Sequence, residues 1–158
     1  MIPVKPLKIT LVNVSDKKGV IDLLSSRQEE SNRLHGGKDN PVEKKGSEIF
    51  DKMIASPHVL MLVARLDDQI VGILTIYLLE RIRSGGKYAV IEDVVITKSL
   101  RRLKIGTCML EQAIKECRSR DVISVKLGTR EDETGILRFY EHLGFEYLEK
   151  LMSKRLKP

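Results

Sequence analysis

A chain of 158 residues, 42% hydrophobic and 32% charged, is long enough to bury a core without disulfide or metal staples, and a single domain spanning 1–158 is expected. A net charge of +6 fits an anionic ligand, but taken alone it fits a merely soluble basic protein better, while the aromatic-poor composition (no Trp, four Tyr, three Phe) argues against a stacking platform for single-stranded nucleic acid. Cys108 and Cys117 are too far apart along one helix to bridge, and His35, His58 and His142 lack metal-ligand spacing, so neither a disulfide framework nor a metal centre is indicated.

Met1-Ile2-Pro3-Val4-Lys5 carries no signal-peptide pattern, and the longest apolar stretches, near 59–64 and 70–79, are too short to cross a bilayer. A cytoplasmic location without a membrane partner is the expectation. "LKITLVNV" (7–14) alternates as a strand does. Ser15 or Asp16 is placed to cap a helix through Glu30, with Val20, Ile21, Leu23 and Leu24 on its apolar side. The polar segment 31–46, with Gly36-Gly37 and Asn40-Pro41, reads as a loop, with room for a helix to start near Pro41 or Val42. Residues 47–55 read as an amphipathic helix stopped before Pro57.

"HVLMLVARL" (58–66), Asp67-Asp68 and "QIVGILTIYLLER" (69–81) predict an antiparallel hairpin, in which Gly72 marks a bulge or a close contact. A turn at Ser84-Gly85-Gly86 leads to a third strand, 87–97. Helical spacing covers 101–120, a short strand 122–129, a helix 132–144 ended by Gly144, and a closing strand 145–156. The order is one strand, two helices, three consecutive strands, then helix–strand–helix–strand. It predicts a mixed α/β fold: a mixed central sheet of six or seven strands with helices on both faces.

The junction at 94–107 carries the strongest chemical signal. Val94, Val95 and Ile96 run into Arg101, Arg102, Leu103, Lys104, Ile105, Gly106 and Thr107, where a helix begins. The first helical turn has N–H groups without internal partners, and the macrodipole adds positive character. Three cations and a glycine beside those amides make a seat for a diphosphate. Read alone, the same pattern also fits a basic turn that only precedes a helix.

"VITKSLRRLKIGTCML" (95–110) resembles motif A of the GNAT superfamily of N-acetyltransferases, with Arg101 on its Arg/Gln position and Gly106 on its last small position. "LRFYEHLGFE" (137–146) resembles motif B, and the helix–helix–three-strand prelude extends the resemblance over nearly the whole chain. Lys104 stands where the family usually has its first glycine, and Glu133 where it commonly has Asn. The resemblance implies a GNAT-like domain that binds acetyl-CoA (coenzyme A) as co-substrate through Val94, Val95, Ile96 and residues 101–107. Val94 N–H would lie near the thioester carbonyl. The acceptor would be a small-molecule or peptide amine, and a homodimer would be in keeping with the family.

Amine acetylation needs a base for the ammonium and an acid for the departing thiolate. Glu92 in "AVIEDVVI" (89–96) is the candidate base: period-two counting puts it with Val90 and Val94 on a buried face, with Asp93 pointing the other way. An ion pair with an Arg, or a part in shaping the pocket, is the alternative for Glu92. Tyr140 is the candidate acid by resemblance to the motif B tyrosine; a core aromatic is its alternative. Arg33, Arg81, Arg83 and Lys87 suit an acceptor bearing a carboxylate or phosphate. The competing class is a non-catalytic acetyl-CoA sensor or a basic nucleic-acid-binding module, with nucleic acid disfavoured.

Overall fold

The computed structural model describes residues 6–129 and 134–158. In chain order the elements are β1 (Lys8–Leu11), α1 (Lys17–His35), α2 (Pro41–Ala55), β2 (Val59–Leu66), β3 (Gln69–Arg81), β4 (Gly86–Ile96), α3 (Ile105–Arg118), β5 (Val122–Leu127) and α4 (Thr134–His142). They fall into two compact units, Met1–Lys126 and Leu127–Pro158.

The hairpin of β2 and β3 is the centre of the first unit. Asp67 and Asp68 take φ of 48° and 63°, the left-handed pair that a two-residue hairpin turn requires. The sheet has the order β1-β2-β3-β4-β5, and its first three pairings are antiparallel. β5 follows β4 through α3, and such a crossover joins parallel neighbours. Among the described residues five strands replace the six or seven expected: residues 145–158 form no strand, and the sheet ends at β5.

Alternation along β2 and β3 sorts the core into two layers. Met61, Val63, Ile73 and Val95 meet Val20 of α1 and Phe50 of α2 on one face. On the other, α3 packs on β2, β3 and β4 and buries Met109, Leu110, Ala113 and Cys117. Gly72 serves that second contact. A Cβ there would lie 2.8 Å from Met109 Sδ, 3.0 Å from Ile96 Cδ1 and 3.2 Å from Ala64 Cβ. Beside it, Val71 is an extra residue of β3 between the Ala64–Gly72 and Arg65–Ile70 pairs, so both readings of Gly72 hold.

Three boundaries differ from the sequence reading. α1 runs to His35, five residues past Glu30, and its lead-in turn is capped by Asn13, whose side chain accepts from Ser15 N while Asp16 accepts from Asn13 N. The 31–46 loop shrinks to 36–40, because Gly36 ends α1 at φ 75° and Pro41 begins α2 with Asn40 as its cap. α3 begins at Ile105, not 101. The start of the 132–144 helix, Asp132 and Glu133, lies outside the described residues, as does Met1–Lys5.

Asp16 is also half of an ion pair: Arg65 Nη1 and Nη2 donate to its two oxygens at 2.7 and 2.6 Å, tying the start of α1 to β2. Among the described residues, no helix is long and apolar enough to cross a membrane.

Two outcomes follow. Gly72→Ala is expected to lower unfolding free energy by about 1–3 kcal/mol in urea denaturation, because Ala64 and Ile96 cannot both withdraw. The hydrogen bond from Arg65 holds the Asp16 carboxyl below its ordinary 3.8. A carboxyl depressed by folding contributes stability in full above its unfolded pKa and loses it as pH falls through the folded one. Asp16→Asn should therefore cost about 2 kcal/mol at pH 7, and the difference from wild type should shrink steadily below pH 4.

Candidate active site

The backbone of β4 sets the site. Thr97 N–H donates to Val71 O at 2.9 Å, which fixes the hydrogen-bonding parity of the β3–β4 ladder. By alternation, Ile96 and Val94, paired in register with Gly72 and Leu74, turn their N–H and C=O groups away from β3. β5 stands on that side but is short. Its Ile123 lies against Gly86, the first residue of β4, where a glycine Cβ would be 3.3 Å from Ile123 Cδ1. Six residues of β5 beginning there run beside only the first half of the eleven-residue β4. The outward groups of Val94 and Ile96 thus lie beyond the stretch that β5 flanks.

Glu92 is the residue for which sequence counting fails. Thr75 pairs with Asp93 and Ile76 with Ile91, so Glu92 is an extra residue in β4, a β-bulge. The parity of the strand reverses across it. Val90 and Asp93 face with Tyr77 and Thr75 toward the α1 and α2 layer, whereas Val94 faces α3. Val90 and Val94 do not share a face, and Glu92 is exposed rather than buried, so the burial expected from period-two counting is not found. Asp93 is the half-buried acid. Thr75 Oγ1 donates to Asp93 Oδ2 at 3.0 Å, and Asp93 N–H donates to Thr75 Oγ1 at 3.1 Å.

Tyr77 joins this group. Burial, then the charges of Asp93 and Glu92, push its phenol above the ordinary value of 10.0, so it stays protonated at neutral pH. Thr75 and Tyr77 were legible as polar positions two apart in an otherwise apolar strand, but the sequence reading passed over them.

The turn after β4 departs from a simple cationic clamp. Arg101 Nη1 and Nη2 donate to Glu30 Oε1 and Oε2 at 3.1 and 2.8 Å, and its Nε donates to Ile96 O at 3.3 Å. One guanidinium therefore ties α1 to the outward carbonyl of β4. The same contact pulls the Glu30 carboxyl down to about 2. Nothing in the sequence marked Glu30 as its partner. Arg102, Leu103 and Lys104 are exposed. Lys104 caps α3 in the left-handed region at φ 61°, the conformation that explains a glycine at this place in motif A. Beyond it Ile105, Gly106 and Thr107 form the first turn, whose amides have no preceding carbonyl in the helix. Residues 94–96 and 101–107 are thus brought to one end of β4.

Tyr140 belongs to the carboxy-terminal unit. Its ring lies 5.2 Å from that of Phe139 and 5.8 Å from that of Phe145, and its carbonyl accepts from Leu143 and Phe145 N–H. Burial raises the Cys117 thiol above its ordinary value, in keeping with an inert packing role on α3. Among the described residues, no cluster of His, Cys, Asp and Glu could hold a metal ion.

The fold and this strand–turn–helix define an acetyltransferase class, and the comparisons agree. The model of the acetyltransferase (GNAT) family matches residues 23–145, and the chain belongs to that family. The uncharacterized protein YxbD of Bacillus subtilis (strain 168) is 32% identical over 98 residues, which are 58% of this chain and 56% of that protein, so the match spans little more than half of the relative. Similar solved structures include a transcriptional regulator from Bacillus halodurans C-125, with TM-score 0.80 and 22% identity over 96% of this chain and 100% of that one. An aminoglycoside acetyltransferase from an uncultured soil metagenomic sample, in complex with sisomicin, gives 0.79 and 24% over 96% and 97%. Glucosamine-6-phosphate N-acetyltransferase from Arabidopsis thaliana gives 0.74 and 22% over 97% and 100%. At these identities the structures share the fold.

Lys104→Gly relieves a left-handed side-chain residue. It is expected to raise unfolding free energy by about 1 kcal/mol in urea denaturation, provided φ stays positive.

Proposed function

We propose that this protein transfers an acetyl group from acetyl-CoA to a primary amine directly, in a ternary complex. The observation that carries the reading is the outward-turned main chain of Val94 and Ile96 beside the first turn of α3. A pantetheine arm carries amides that can pair with such an edge as an added strand would. A diphosphate suits the amides of Ile105, Gly106 and Thr107, with Arg102 and Lys104 exposed beside them. Arg101 sits next to both groups, and a diphosphate would compete with Glu30 for it.

The chemistry falls to the residues around the bulge. Val94 N–H is the proposed donor to the thioester oxygen as negative charge develops there. An alkyl ammonium with pKa of about 10 must lose a proton before attack. Glu92 is the proposed base, accepting that proton directly or through one water, as its exposure allows. Asp93, held by Thr75, supplies a second negative charge to draw the ammonium in. Tyr140 is the proposed donor to the departing thiolate, on the strength of motif B alone.

Coenzyme release measured across a panel of amines tests the proposal. Glu92→Gln should lower kcat by about 10²-fold or more, Tyr140→Phe should lower it by at least tenfold, and Arg101→Ala should raise the KM for acetyl-CoA. Wild-type rates in the first two variants would remove the base and acid assignments. Absence of release with every amine, together with no binding of acetyl-CoA, would remove the reaction itself.

A further inference from the structure

Within the first unit, α1 and α2 cover only part of the sheet face that carries Asp93. The α1 and α2 layer meets it through Met61, Val63, Ile73 and Val95. Past the Thr75–Asp93 pair the face continues through Tyr77–Val90, Leu79–Tyr88 and Arg81–Gly86, and none of these six belongs to that core cluster. Leu79 is 39% exposed, and Tyr77, Tyr88, Val90 and Arg81 are half-buried. At the far end the Arg81 guanidinium stacks on the Tyr88 ring, its Cζ 4.3 Å from the centroid, and Lys126 Nζ lies 5.8 Å from the same centroid.

Stacking occupies the flat face of a guanidinium and leaves its edge donors available for a forked contact with an oxyanion. Among the described residues, no carboxylate lies within ion-pair distance of Arg81. Glu80 next to it pairs across with Lys87 on the opposite side of the sheet. One end of this half-face is therefore negative, at Glu92 and Asp93, and the other is positive. The two ends lie four residue steps apart along β3, from Thr75 to Leu79, or about 13 Å.

We infer that this half-face is the acceptor subsite, with the reacting nitrogen at the Asp93–Tyr77 end and a carboxylate or phosphate of the same molecule on the Arg81 fork over Tyr88. The acceptor class is then an extended amine whose anionic group stands about 13 Å from its nitrogen. This assignment rests on the acetyl-transfer reading, but its geometry can be tested by binding alone.

Glycine oligomers of one to six residues, as free acids and as carboxy-terminal amides, are the probes, with a matched tetrapeptide amide ending in phosphoserine as the phosphate arm. Extended chain spans about 3.3–3.6 Å per residue, so kcat/KM should peak near four residues. There the acid should exceed the amide by at least tenfold, and Arg81→Gln should bring that ratio close to one. Tyr88→Leu should shrink the ratio, and Tyr88→Phe should keep it. Whichever anionic probe depends more on Arg81 identifies the group preferred. An acid-to-amide ratio that is unchanged in Arg81→Gln, or dependence on Arg81 with neither probe, overturns the subsite.

If no oligomer releases coenzyme even from wild type, calorimetric binding of the same tetraglycine acid and amide decides separately. Tenfold tighter binding of the acid, lost in Arg81→Gln, upholds the subsite while acetyl transfer fails. Equal binding of the two ends the inference.

Discussion

One extra residue in β4 sets the geometry of this protein. The bulge at Glu92 reverses the alternation of the strand between Ile91 and Asp93. Without it, regular pairing would turn Asp93 toward α3 and away from Thr75 and Tyr77. With it, the carboxylate is fixed on the side that α1 and α2 only partly cover, and the following residues keep the parity that Thr97 N–H imposes through Val71 O. A polar cluster on one face and an outward-turned main-chain edge thus lie within a few residues of each other. A bulge also increases local twist, which suits a strand whose first half runs beside β5 while its second half does not.

The basic turn 101–104 does more than gather positive charge. Arg101 is engaged twice, with Glu30 on α1 and with the Ile96 carbonyl, so it positions elements as well as adding charge. Arg102 and Lys104 have positive φ, 68° and 61°, and both side chains point into solvent. Arg101 therefore has a different task from Arg102 and Lys104. A lysine at the left-handed cap shows that the backbone shape of motif A is retained where the glycine that usually supplies it is not.

Much of the fold was legible because burial repeats with the period of the secondary structure. The central hairpin, β4, α3 and α4 follow from apolar runs, from the turn residues Asp67-Asp68, and from Gly144. In 31–46 the end of α1, at 31–35, was the part missed. The option of a helix starting near Pro41 is the one the structure takes, although Glu43, Lys44 and Lys45 are polar on a helix that is largely solvated. There the cap at Asn40 and the proline at its first position outweigh composition. Residues 145–156 looked like a strand because Phe145, Tyr147 and Leu151 alternate, but alternation without a pairing partner does not make a strand. At the site, the motif A turn could be read as a continuous stretch of sequence. The facing of Glu92 and Asp93 could not, since a bulge leaves no local signature in "AVIEDVVI". Nor could the Arg101–Glu30 and Arg81–Tyr88 contacts, which tertiary structure brings together.

Donor binding as proposed depends most directly on the outward edge of β4. Amide hydrogen exchange followed residue by residue, with and without acetyl-CoA, addresses it. Val94, Ile96 and the first-turn amides of α3 should slow strongly when the donor is added, while Thr97, already bonded to Val71, should change little. Equal slowing across the strand, or none at Val94 and Ile96 under saturating donor, would contradict it.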